Sequence, residues 1–229
     1  FQPDYVYVHG DTTTTMASSI AAFYAGAKVC HVEAGLRTFN KQSPFPEEIN
    51  RNITGRIADI HFAPTQASCN NLVLENIDKK NITITGNTVI DALLESVSKI
   101  ETIEDNEIEN LKKLIDPSKR IVLVTGHRRE NHGQGFINIC EALKEIAVTI
   151  NDIQIIYPVH LNPKVQKPVY EILGEEENIK LIAPLSYPAF VWLMNKSYLI
   201  ITDSGGVQEE APSLGKPVLV MRDTTERPE

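Results

Sequence analysis

Short apolar segments alternate with segments of helical pattern along the whole chain, and this alternation constrains the fold more than any other feature. Segments such as "DYVYV", "RIVLVTG" and "IQIIYPV" are rich in Val, Ile and Tyr, which favour strands. We predict strands over residues 4–8, 28–32, 59–63, 81–85, 120–126, 153–159, 179–183, 198–202 and 217–221. We predict that helices fill the gaps between these strands, for example over residues 12–26, 46–57, 65–76, 87–99, 103–115, 135–149, 186–196 and 205–214. Apolar strands linked by helices pack as parallel sheets covered on both faces, so the sequence predicts an α/β fold.

The chain divides into two predicted domains. The segment "TGNTVIDALL" leaves the last strand of the first half near Gly86, and a new series of strands and helices resumes at "RIVLVTG". We therefore predict one α/β domain over residues 1–86 and a second over residues 87–229. Residues 100–119 are the most charged stretch, and two interpretations of them stay open: one long solvent-exposed helix, or a linker region.

Composition excludes several functional classes. The net charge of −8 argues against non-specific nucleic-acid binding, which needs a basic surface, but it permits an anionic small ligand bound by a few arginines. Cys30, Cys69 and Cys140 are widely spaced and fit neither a disulfide framework nor a zinc site, which indicates reduced thiols in the cytoplasm. No metal-ligand spacing occurs in the sequence, and the apolar segments are too short to span a membrane.

Polar side chains follow many of the predicted strands. In parallel α/β sheets, ligands bind outside the carboxyl ends of the strands. Seven ionisable residues have this position in the sequence: His9, Asp11, His31, Glu33, His127, His160 and Asp203. A single histidine at a strand end is usually only solvated, but seven such residues on one sheet edge predict a functional edge.

The segment "DSGGVQEEAPSLGKPVLV" places a glycine pair between a strand and a helix. Gly205 and Gly206 would let a ligand approach the backbone, and the free N–H groups of the helix start attract phosphate. Ser204 either caps this helix or contacts the ligand, and both roles are compatible. Glu210, about one turn further on, could accept hydrogen bonds from ribose hydroxyls. We interpret the segment as a nucleoside-diphosphate site.

Acidic residues also surround "HVEAGLRT" and "PFPEEINR". Glu33 ends a strand, while Glu47 and Glu48 open a helix, where the helix dipole stabilises acids. Arg37 and Arg51 could simply pair with these acids. The strand-edge position of Glu33 instead favours a functional carboxylate cluster.

Two further segments carry charge at a strand end. In "HGDTTTTMASS", Asp11 either caps the following helix or serves as a functional carboxylate, and the threonine hydroxyls could cap free N–H groups. In "VTGHRRENHGQG", His127, Arg128 and Arg129 concentrate positive charge before a glycine-spaced loop. Because the planar arginine guanidinium matches phosphate oxygens, this second segment indicates an anion site.

The sequence resembles a known family in a series of ordered blocks. The blocks are "HGDT", "HVEAGLRT", "PFPEEINR", "FAPT", "TGNTVIDAL", "GHRREN", "DSGGVQEEAP" and "RDTTERPE". They are similar to the non-hydrolysing UDP-N-acetylglucosamine 2-epimerases, essentially from end to end. The resemblance implies a glycosyltransferase-B-type fold, in which two Rossmann-like domains hold the active site in the cleft between them. It also implies UDP-N-acetylglucosamine and UDP as ligands and a homodimer. We expect no cofactor, and the spacing, charge and apolar segments considered above predict no metal and no nucleic-acid or membrane partner.

The resemblance also implies roles for individual residues. The catalytic set comprises Asp11, Glu33, Glu47 and His127. The UDP-binding set comprises Phe190, Ser204, Gly205, Gly206, Glu210 and Arg227. Bacterial members of the family use UDP-N-acetylglucosamine as an activator beside the active site, and the candidates for that contact are Arg128 and His160.

The sequence departs from the family in coverage. It begins "FQPDYVYV", without a methionine, at a point that matches the inside of the family's N-terminal domain, and it ends directly after a strand. The opening strand with its glycine–arginine loop and the C-terminal helices are not in it, so we expect a part of a longer protein with both domains incomplete. Two alternatives to the epimerase stay open: a UDP-sugar glycosyltransferase of the same fold, and a nucleotide-sugar-binding fragment without catalysis.

Overall fold

The computed structural model of the chain describes residues 2–128, 131 and 133–227. The chain divides into two compact units, Phe1–Thr88 with Thr224–Glu229, and Val89–Asp223. Each unit is built on a parallel sheet of its own. Arg129, which the sequence places beside Arg128, lies outside the described residues, as do the last two residues of the block "RDTTERPE".

The first unit contains four parallel strands in the order in which they occur along the chain. They are β1 (Tyr5–His9), β2 (Lys28–Val32), β3 (Ile60–Ala63) and β4 (Ile82–Ile84). The connecting helices are α1 (Thr13–Tyr24), α2 (Glu47–Ile57) and α3 (Gln66–Leu74), followed by a short 3₁₀ turn at Lys79–Asn81. Because the four strands are parallel, their carboxyl ends all lie at the same edge of the sheet.

Threonines cap two helices of the first unit, α1 and α3. The Thr12 hydroxyl accepts a hydrogen bond from the Thr15 N–H at 3.1 Å, so α1 begins after Thr12 in spite of its run of β-branched residues. Thr65 caps α3 in the same way through the Ser68 N–H. The alternative in which Asp11 caps α1 is therefore wrong, because Thr12 holds that position.

The second unit contains five parallel strands in the order β7-β6-β5-β8-β9. They are β5 (Arg120–Thr125), β6 (Ile153–Pro158), β7 (Ile179–Ile182), β8 (Leu199–Thr202) and β9 (Val218–Val220). The helices are α4 (Thr88–Ile100), α5 (Asn106–Leu114), α6 (Gln134–Thr149), α7 (Pro163–Leu173), α8 (Tyr187–Lys196) and α9 (Gly205–Ser213). The central strands β5, β6 and β8 are almost wholly buried, which is why they read as continuous apolar runs.

The charged segment 100–119 is not one long helix and not only a linker region, but it contains the helix predicted over residues 103–115. Helix α4 ends at Ile100, and Asp105 caps the separate helix α5 by accepting from the N–H groups of Glu107 and Ile108. Ile108 and Leu111 are each 3% exposed in the core of the second unit. The two apolar positions, three residues apart, attach α5 to the core although most of its surface is charged.

Helix α7 fills a gap between strands for which we give no helix range from the sequence. Its sequence contains Pro163 at the first position and Pro168 in the interior, where a proline removes a helical hydrogen bond. The helix persists because Val165, Val169 and Leu173 are completely buried in the core of the second unit. Tertiary packing here outweighs a local signal that disfavours helix.

Three further observations concern the described residues as a whole. Cys30, Cys69 and Cys140 are buried free thiols. Within the described ranges, no group of three or more His, Cys, Asp or Glu side chains is arranged to hold a metal ion. No helix in the part of the chain that the structure describes has both the length and the apolar composition that a membrane crossing needs.

Candidate functional site

The carboxyl ends of β1 and β2 bring Asp11 into contact with α2. An oxygen of the Asp11 carboxylate, Oδ2, lies 2.5 Å from Nη2 of Arg51, and the Arg51 side chain is 3% exposed. The Asn50 side-chain amide donates to the main-chain carbonyl of Asp11 at 2.9 Å. Two adjacent residues of α2 therefore fix both the main chain and the side chain of Asp11.

Arg51 is itself held by a second carboxylate. Its Nη1 lies 3.1 Å from Oε2 of Glu48, which is 2% exposed. The carboxylate of Glu48 also accepts the main-chain N–H groups of Thr38 and Phe39 at 3.1 and 3.0 Å. The expectation that Arg51 pairs with a neighbouring acid is thus confirmed for Glu48, but the pairing extends to Asp11.

Arg37 does not pair with the acids of "PFPEEINR". Its Nε and Nη2 bind both oxygens of Glu75 at 2.6 and 2.8 Å, with the Arg37 side chain fully buried. This bidentate pair joins the loop after β2 to the end of α3 and leaves Asp11 and Glu33 untouched. The expectation for Arg37 was wrong, because spacing along the chain does not reveal which acid is near in space.

Glu33 follows β2 in a left-handed backbone conformation, with φ of 65°. Its Oε1 lies 2.7 Å from Nη2 of Arg227, which also binds Glu226, and its Oε2 lies 3.7 Å from Nε2 of His9. A non-glycine residue with positive φ is sparsely populated and is often found at functional sites. The structure thus gives Glu33, like Asp11, an arginine partner.

Glu47 is half-buried at the first residue of α2. It lies one helical turn before Arg51, so its side chain is on the face of α2 that carries the partner of Asp11. Pro46 precedes it at the helix start, as the sequence indicated. The first unit therefore contains all three of the carboxylates predicted to be catalytic.

His31 does not have the strand-end position expected from the sequence. It lies within β2 and is 1% exposed, and its Nε2 is 2.8 Å from the carbonyl oxygen of Gly10. Burial lowers its pKa from 6.5 to about 4, so the ring is neutral at pH 7. The imidazole is therefore a buried hydrogen-bonding group and not a residue of the exposed edge.

The second unit presents the start of α9 at the carboxyl end of β8. Gly205 and Gly206 are the first two residues of α9, and Ser204 precedes them. The Ser204 side chain makes no capping hydrogen bond, while its N–H donates to Thr202 Oγ1 at 2.9 Å. The capping role considered for Ser204 is therefore wrong, and the first N–H groups of α9 are left without a side-chain cap from it.

Glu210 lies on α9 and is 7% exposed. Burial raises the pKa of its carboxyl group above 4.5, an effect that the Tyr187 hydroxyl, 3.5 Å from Oε1, partly offsets. A β-carbon added at Gly206 would lie 3.7 Å from Oε2 of Glu210, so the carboxylate faces the bare glycine backbone. The carboxylate of Glu210, a hydrogen-bond acceptor, therefore lies close to the backbone N–H groups at the start of α9.

Asp203 organises the loop after β5. The buried carboxylate accepts, through Oδ2, the N–H groups of His127 and Arg128 at 2.9 and 2.8 Å, and the side-chain amide of Asn131 at 3.3 Å. Its Oδ1 is 3.8 Å from Nδ1 of His127. The acid predicted for a functional edge is thus an anchor that positions His127.

His127 stacks on His160. Their ring centroids are 4.9 Å apart with an interplanar angle of 10°, and the His127 side chain is 45% exposed. Nδ1 of His160 accepts the Asn162 N–H at 3.1 Å. Arg128 is half-buried next to them, so the structure brings together, within the second unit, His127 and both residues predicted to contact an activator.

The remaining predicted UDP contacts fall in different units. Phe190 is partly buried on α8 and packs against the core of the second unit. The same unit contains the predicted UDP contacts Ser204, Gly205, Gly206 and Glu210. Arg227 belongs to the first unit, where it binds Glu33.

Sequence reasoning missed three residues that the structure places at these positions: Asn50, Asn131 and Tyr187. Each acts through a contact between residues at least 23 positions apart, for which a single sequence offers no periodic signal.

Comparison with known proteins identifies the family. The family model for UDP-N-acetylglucosamine 2-epimerase matches residues 1–229. The chain belongs to the UDP-N-acetylglucosamine 2-epimerase family. This confirms the resemblance seen in the ordered sequence blocks.

Individual members of the epimerase family support the assignment. The UDP-N-acetylglucosamine 2-epimerase of Escherichia coli O157:H7 is 60% identical over 232 residues, which is 100% of this chain and 61% of that protein. The Neisseria meningitidis UDP-GlcNAc 2-epimerase bound to UDP-GlcNAc has a TM-score of 0.95 at 52% identity and matches 100% of this chain and 62% of its own. The Methanocaldococcus jannaschii enzyme with UDP-GlcNAc and UDP has a TM-score of 0.83 at 37% identity, over 98% of this chain and 62% of its own. The α/β fold with two parallel sheets is therefore confirmed as that of the epimerase family, and the chain spans about three fifths of its relatives' length.

Proposed function

We propose that the complete protein containing this chain interconverts UDP-N-acetylglucosamine and UDP-N-acetylmannosamine. The reaction inverts C2 of the sugar, whose proton has no adjacent carbonyl group to acidify it. In the proposed route, the bond from C1 to the diphosphate oxygen breaks and UDP leaves with the electron pair. The resulting oxocarbenium character at C1 acidifies the C2 proton, which passes to a carboxylate and leaves 2-acetamidoglucal. A proton then adds to the opposite face of C2, and UDP adds back to C1.

The proposed route needs carboxylates that transfer the C2 proton, together with positively charged groups that hold the departing diphosphate. Asp11, Glu33 and Glu47 supply the carboxylates that move the C2 proton and stabilise positive charge at C1. Arg51 holds Asp11 at 2.5 Å and Arg227 holds Glu33 at 2.7 Å, which keeps each carboxylate in one orientation. This pair of arginine-held carboxylates at the edge of the first sheet is the observation that carries the proposal.

The second unit supplies most of the proposed UDP contacts, and Arg227 of the first unit supplies another. The N–H groups of Gly205 and Gly206 at the start of α9 suit the diphosphate, and Glu210 suits the ribose hydroxyls. Phe190 is assigned to the uracil, Ser204 and Arg227 to the phosphates, and His127 to the departing diphosphate. Asp203 supports the last assignment, because it fixes the main chain of His127 through a 2.9 Å hydrogen bond.

A matched set of variants tests the reaction. In the complete protein, Asp11→Asn and Glu33→Gln should each lower turnover by about 100-fold or more, as expected for a general acid or base, while UDP affinity changes little. Glu75→Gln is the control, because the Glu75 side chain is 17% exposed against 19% for Glu33 and likewise binds an arginine. Turnover is measured as formation of the manno isomer and as solvent deuterium at C2. Wild-type turnover in both Asp11→Asn and Glu33→Gln would refute the catalytic assignment.

Regulation and assembly extend the same proposal. We assign Arg128 and His160 to contact with a second molecule of UDP-N-acetylglucosamine that activates the enzyme, supported by the stacking of His160 on His127. In this view the complete protein is a cytoplasmic homodimer. The His160→Ala variant should no longer be activated by UDP-N-acetylglucosamine, as measured by its kinetics. Light scattering of the complete protein should give the mass of two chains.

A further inference from the structure

We propose that His31 is a positioning residue, which sets the spacing of Asp11 and Glu33 by holding the carbonyl group of Gly10. The proposal rests on the function proposed above, because it concerns the two carboxylates of that reaction. His31 itself is buried within β2 and is not exposed to a ligand. It acts only through the main chain of the turn formed by Gly10 and Asp11, called the Gly10 turn below.

The Gly10 turn is held on both sides by β2. The Gly10 N–H donates to the carbonyl of Val32 at 3.0 Å, and the Gly10 carbonyl lies 2.8 Å from Nε2 of His31. These two bonds secure the peptide groups immediately before and after Gly10, and the second of these is the one that leads into Asp11. The hydrogen bond with His31 therefore restrains the position of Asp11 relative to β2.

Glu33 lies directly against the same turn. Gly10 has φ of 70°, and a β-carbon added to it would lie 3.1 Å from Oε2 of Glu33. A small shift of Gly10 would therefore change both the direction of Asp11 and the space that Glu33 occupies. Catalytic groups misplaced by about 1 Å can lose about 100-fold in rate, so control of this turn has consequences for turnover.

The imidazole of His31 is poorly explained by stability alone. His31 lies in register with Val8 on β1, and an aliphatic side chain would suit this buried position. Nδ1 of His31 is buried and has no hydrogen-bond partner among the described residues, which is unfavourable. Among the described residues, the hydrogen bond of the His31 ring is the one from Nε2 to the Gly10 carbonyl.

His61 provides an internal comparison. It lies in register with His31 on the next strand, is also 1% exposed, and likewise has a buried Nδ1 without a partner in the described part of the chain. Its main-chain hydrogen bond goes to Ala58, at the end of α2, and not to the Gly10 turn. Substitution of His61 therefore perturbs the same sheet without touching the link to Asp11.

The test compares three variants of the complete protein. Gln retains a donor that can reach Gly10 from position 31, whereas Leu has similar volume and no donor. We expect His31→Leu to lower kcat by about 10- to 100-fold with a change in KM of less than about threefold. His31→Gln should recover most of kcat, and His61→Leu should keep kcat near the wild-type value. Wild-type kcat in folded His31→Leu, or an equal loss in His61→Leu, would overturn the proposal.

A structural readout separates this proposal from the proposed function. Crystal structures should show the Gly10–Asp11 peptide displaced in His31→Leu and unmoved in His31→Gln. Should His31→Leu not fold, His31→Asn replaces it, because its shorter amide does not reach the Gly10 carbonyl and the same displacement is expected. An unmoved peptide in the variant without the bond refutes the positioning role whatever the activity. Absence of epimerisation in the wild-type protein would instead refute the proposed function alone.

Discussion

Asp11 and Arg51 are joined by a 2.5 Å contact between Oδ2 and Nη2, and the guanidinium group that makes it is almost completely buried. Arg51 in turn binds Glu48 at 3.1 Å, and Glu48 accepts two main-chain N–H groups of the loop that follows β2. A charge buried between two carboxylates is costly to leave unpaired. The orientation of the proposed catalytic carboxylate is thus determined by residues that do not themselves need to touch the substrate.

Removal of this guanidinium should affect turnover as well as stability. Arg51→Met leaves two carboxylates without their common partner, which typically costs about 3–5 kcal/mol of unfolding free energy. We expect kcat to fall by about 100-fold as Asp11 loses its orientation. The measurements are urea denaturation and formation of the manno isomer by the complete protein.

Arg37→Met is the matched control for Arg51→Met. Arg37 is also buried and also binds a carboxylate, that of Glu75, but it does not contact Asp11 or Glu33. The Arg37→Met variant should lose a similar amount of unfolding free energy and keep kcat within about threefold of the wild type, because the buried pair that it breaks does not include Asp11 or Glu33. Equal losses of kcat in the two variants would show that Arg51 acts only through stability.

Gly206→Ala should weaken UDP binding without weakening the fold. The new β-carbon would meet Oε2 of Glu210 at 3.7 Å and Oγ of Ser204 at 4.0 Å, which are ordinary contacts. Alanine also favours a helix over glycine by up to about 1 kcal/mol. The methyl group would nevertheless separate the diphosphate from the first N–H groups of α9, and calorimetry should show UDP affinity lowered by about tenfold, equivalent to about 1.4 kcal/mol.

Gly135→Ala is the control for that substitution. Gly135 is the second residue of α6, as Gly206 is of α9, and no atom of the described residues lies within 4 Å of its added β-carbon. It should leave both UDP affinity and stability unchanged or slightly raise stability. If Gly206→Ala binds UDP as tightly as Gly135→Ala, the start of α9 is not the diphosphate site.

The contribution of Glu210 to UDP binding should depend on pH. Burial raises the pKa of its carboxyl group, so the ionised form that accepts ribose hydrogen bonds is lost as pH falls through a value above 4.5. Glu210→Gln should weaken binding by about 10- to 100-fold at pH 7.5, since hydrogen bonds to a charged group contribute about 1.5–3 kcal/mol. The ratio of wild-type to Glu210→Gln affinity should narrow towards acidic pH.

Calorimetry at several pH values measures this ratio, in which the titration of the UDP phosphates cancels. Glu209→Gln, a change to the adjacent residue of α9, serves as the control and should keep UDP affinity near the wild-type value at pH 7.5. Because the charge of Glu209 is a smaller cause of the raised Glu210 pKa, its loss should only move the pH dependence of binding to lower pH. A ratio that stays constant from pH 7.5 to the acidic limit of folding would contradict the ribose assignment.

His31 should make the folded protein sensitive to acid. Its pKa is lowered from 6.5 to about 4 in the folded state, so between these values the unfolded chain binds a proton that the folded chain does not. Unfolding free energy therefore falls as pH decreases from about 6.5 to about 4, by about 3 kcal/mol for this one group. The contribution vanishes at about one pH unit above 6.5, where the ring is neutral in both states.

His31→Gln removes this acid sensitivity, because glutamine does not titrate. Urea denaturation at pH 7 and pH 4.5 should show a smaller loss of stability in the variant than in the wild type. Burial also lowers the pKa of His61, so a further acid-dependent loss should remain in His31→Gln and disappear only in the double variant with His61→Gln. An identical pH dependence in wild type and His31→Gln would contradict the neutral state of the buried ring.

The order of strands and helices was readable from the sequence because it depends on local patterns. Each observed strand lies within one or two residues of a predicted one, since apolar runs of that length are typical of buried parallel strands. The position of Asp11, Glu33 and Ser204 after such strands predicted a common functional edge within each half. Helix α7 received no predicted range because Pro168 lies inside it, although its buried residues Val165, Val169 and Leu173 recur every four positions. Burial in the core explains why the helix persists.

Tertiary structure alone decided which partner each polar residue has. The sequence offers Arg37 and Arg51 the same nearby acids, yet Arg37 binds Glu75 and Arg51 bridges Glu48 and Asp11. The register of β2 similarly turned His31 inward, towards Gly10. Such choices depend on packing between residues up to 40 positions apart, which local propensity and periodicity do not encode. The sequence by itself determined the family and the edges at which its chemistry is expected, and packing determined how the side chains at those edges are held.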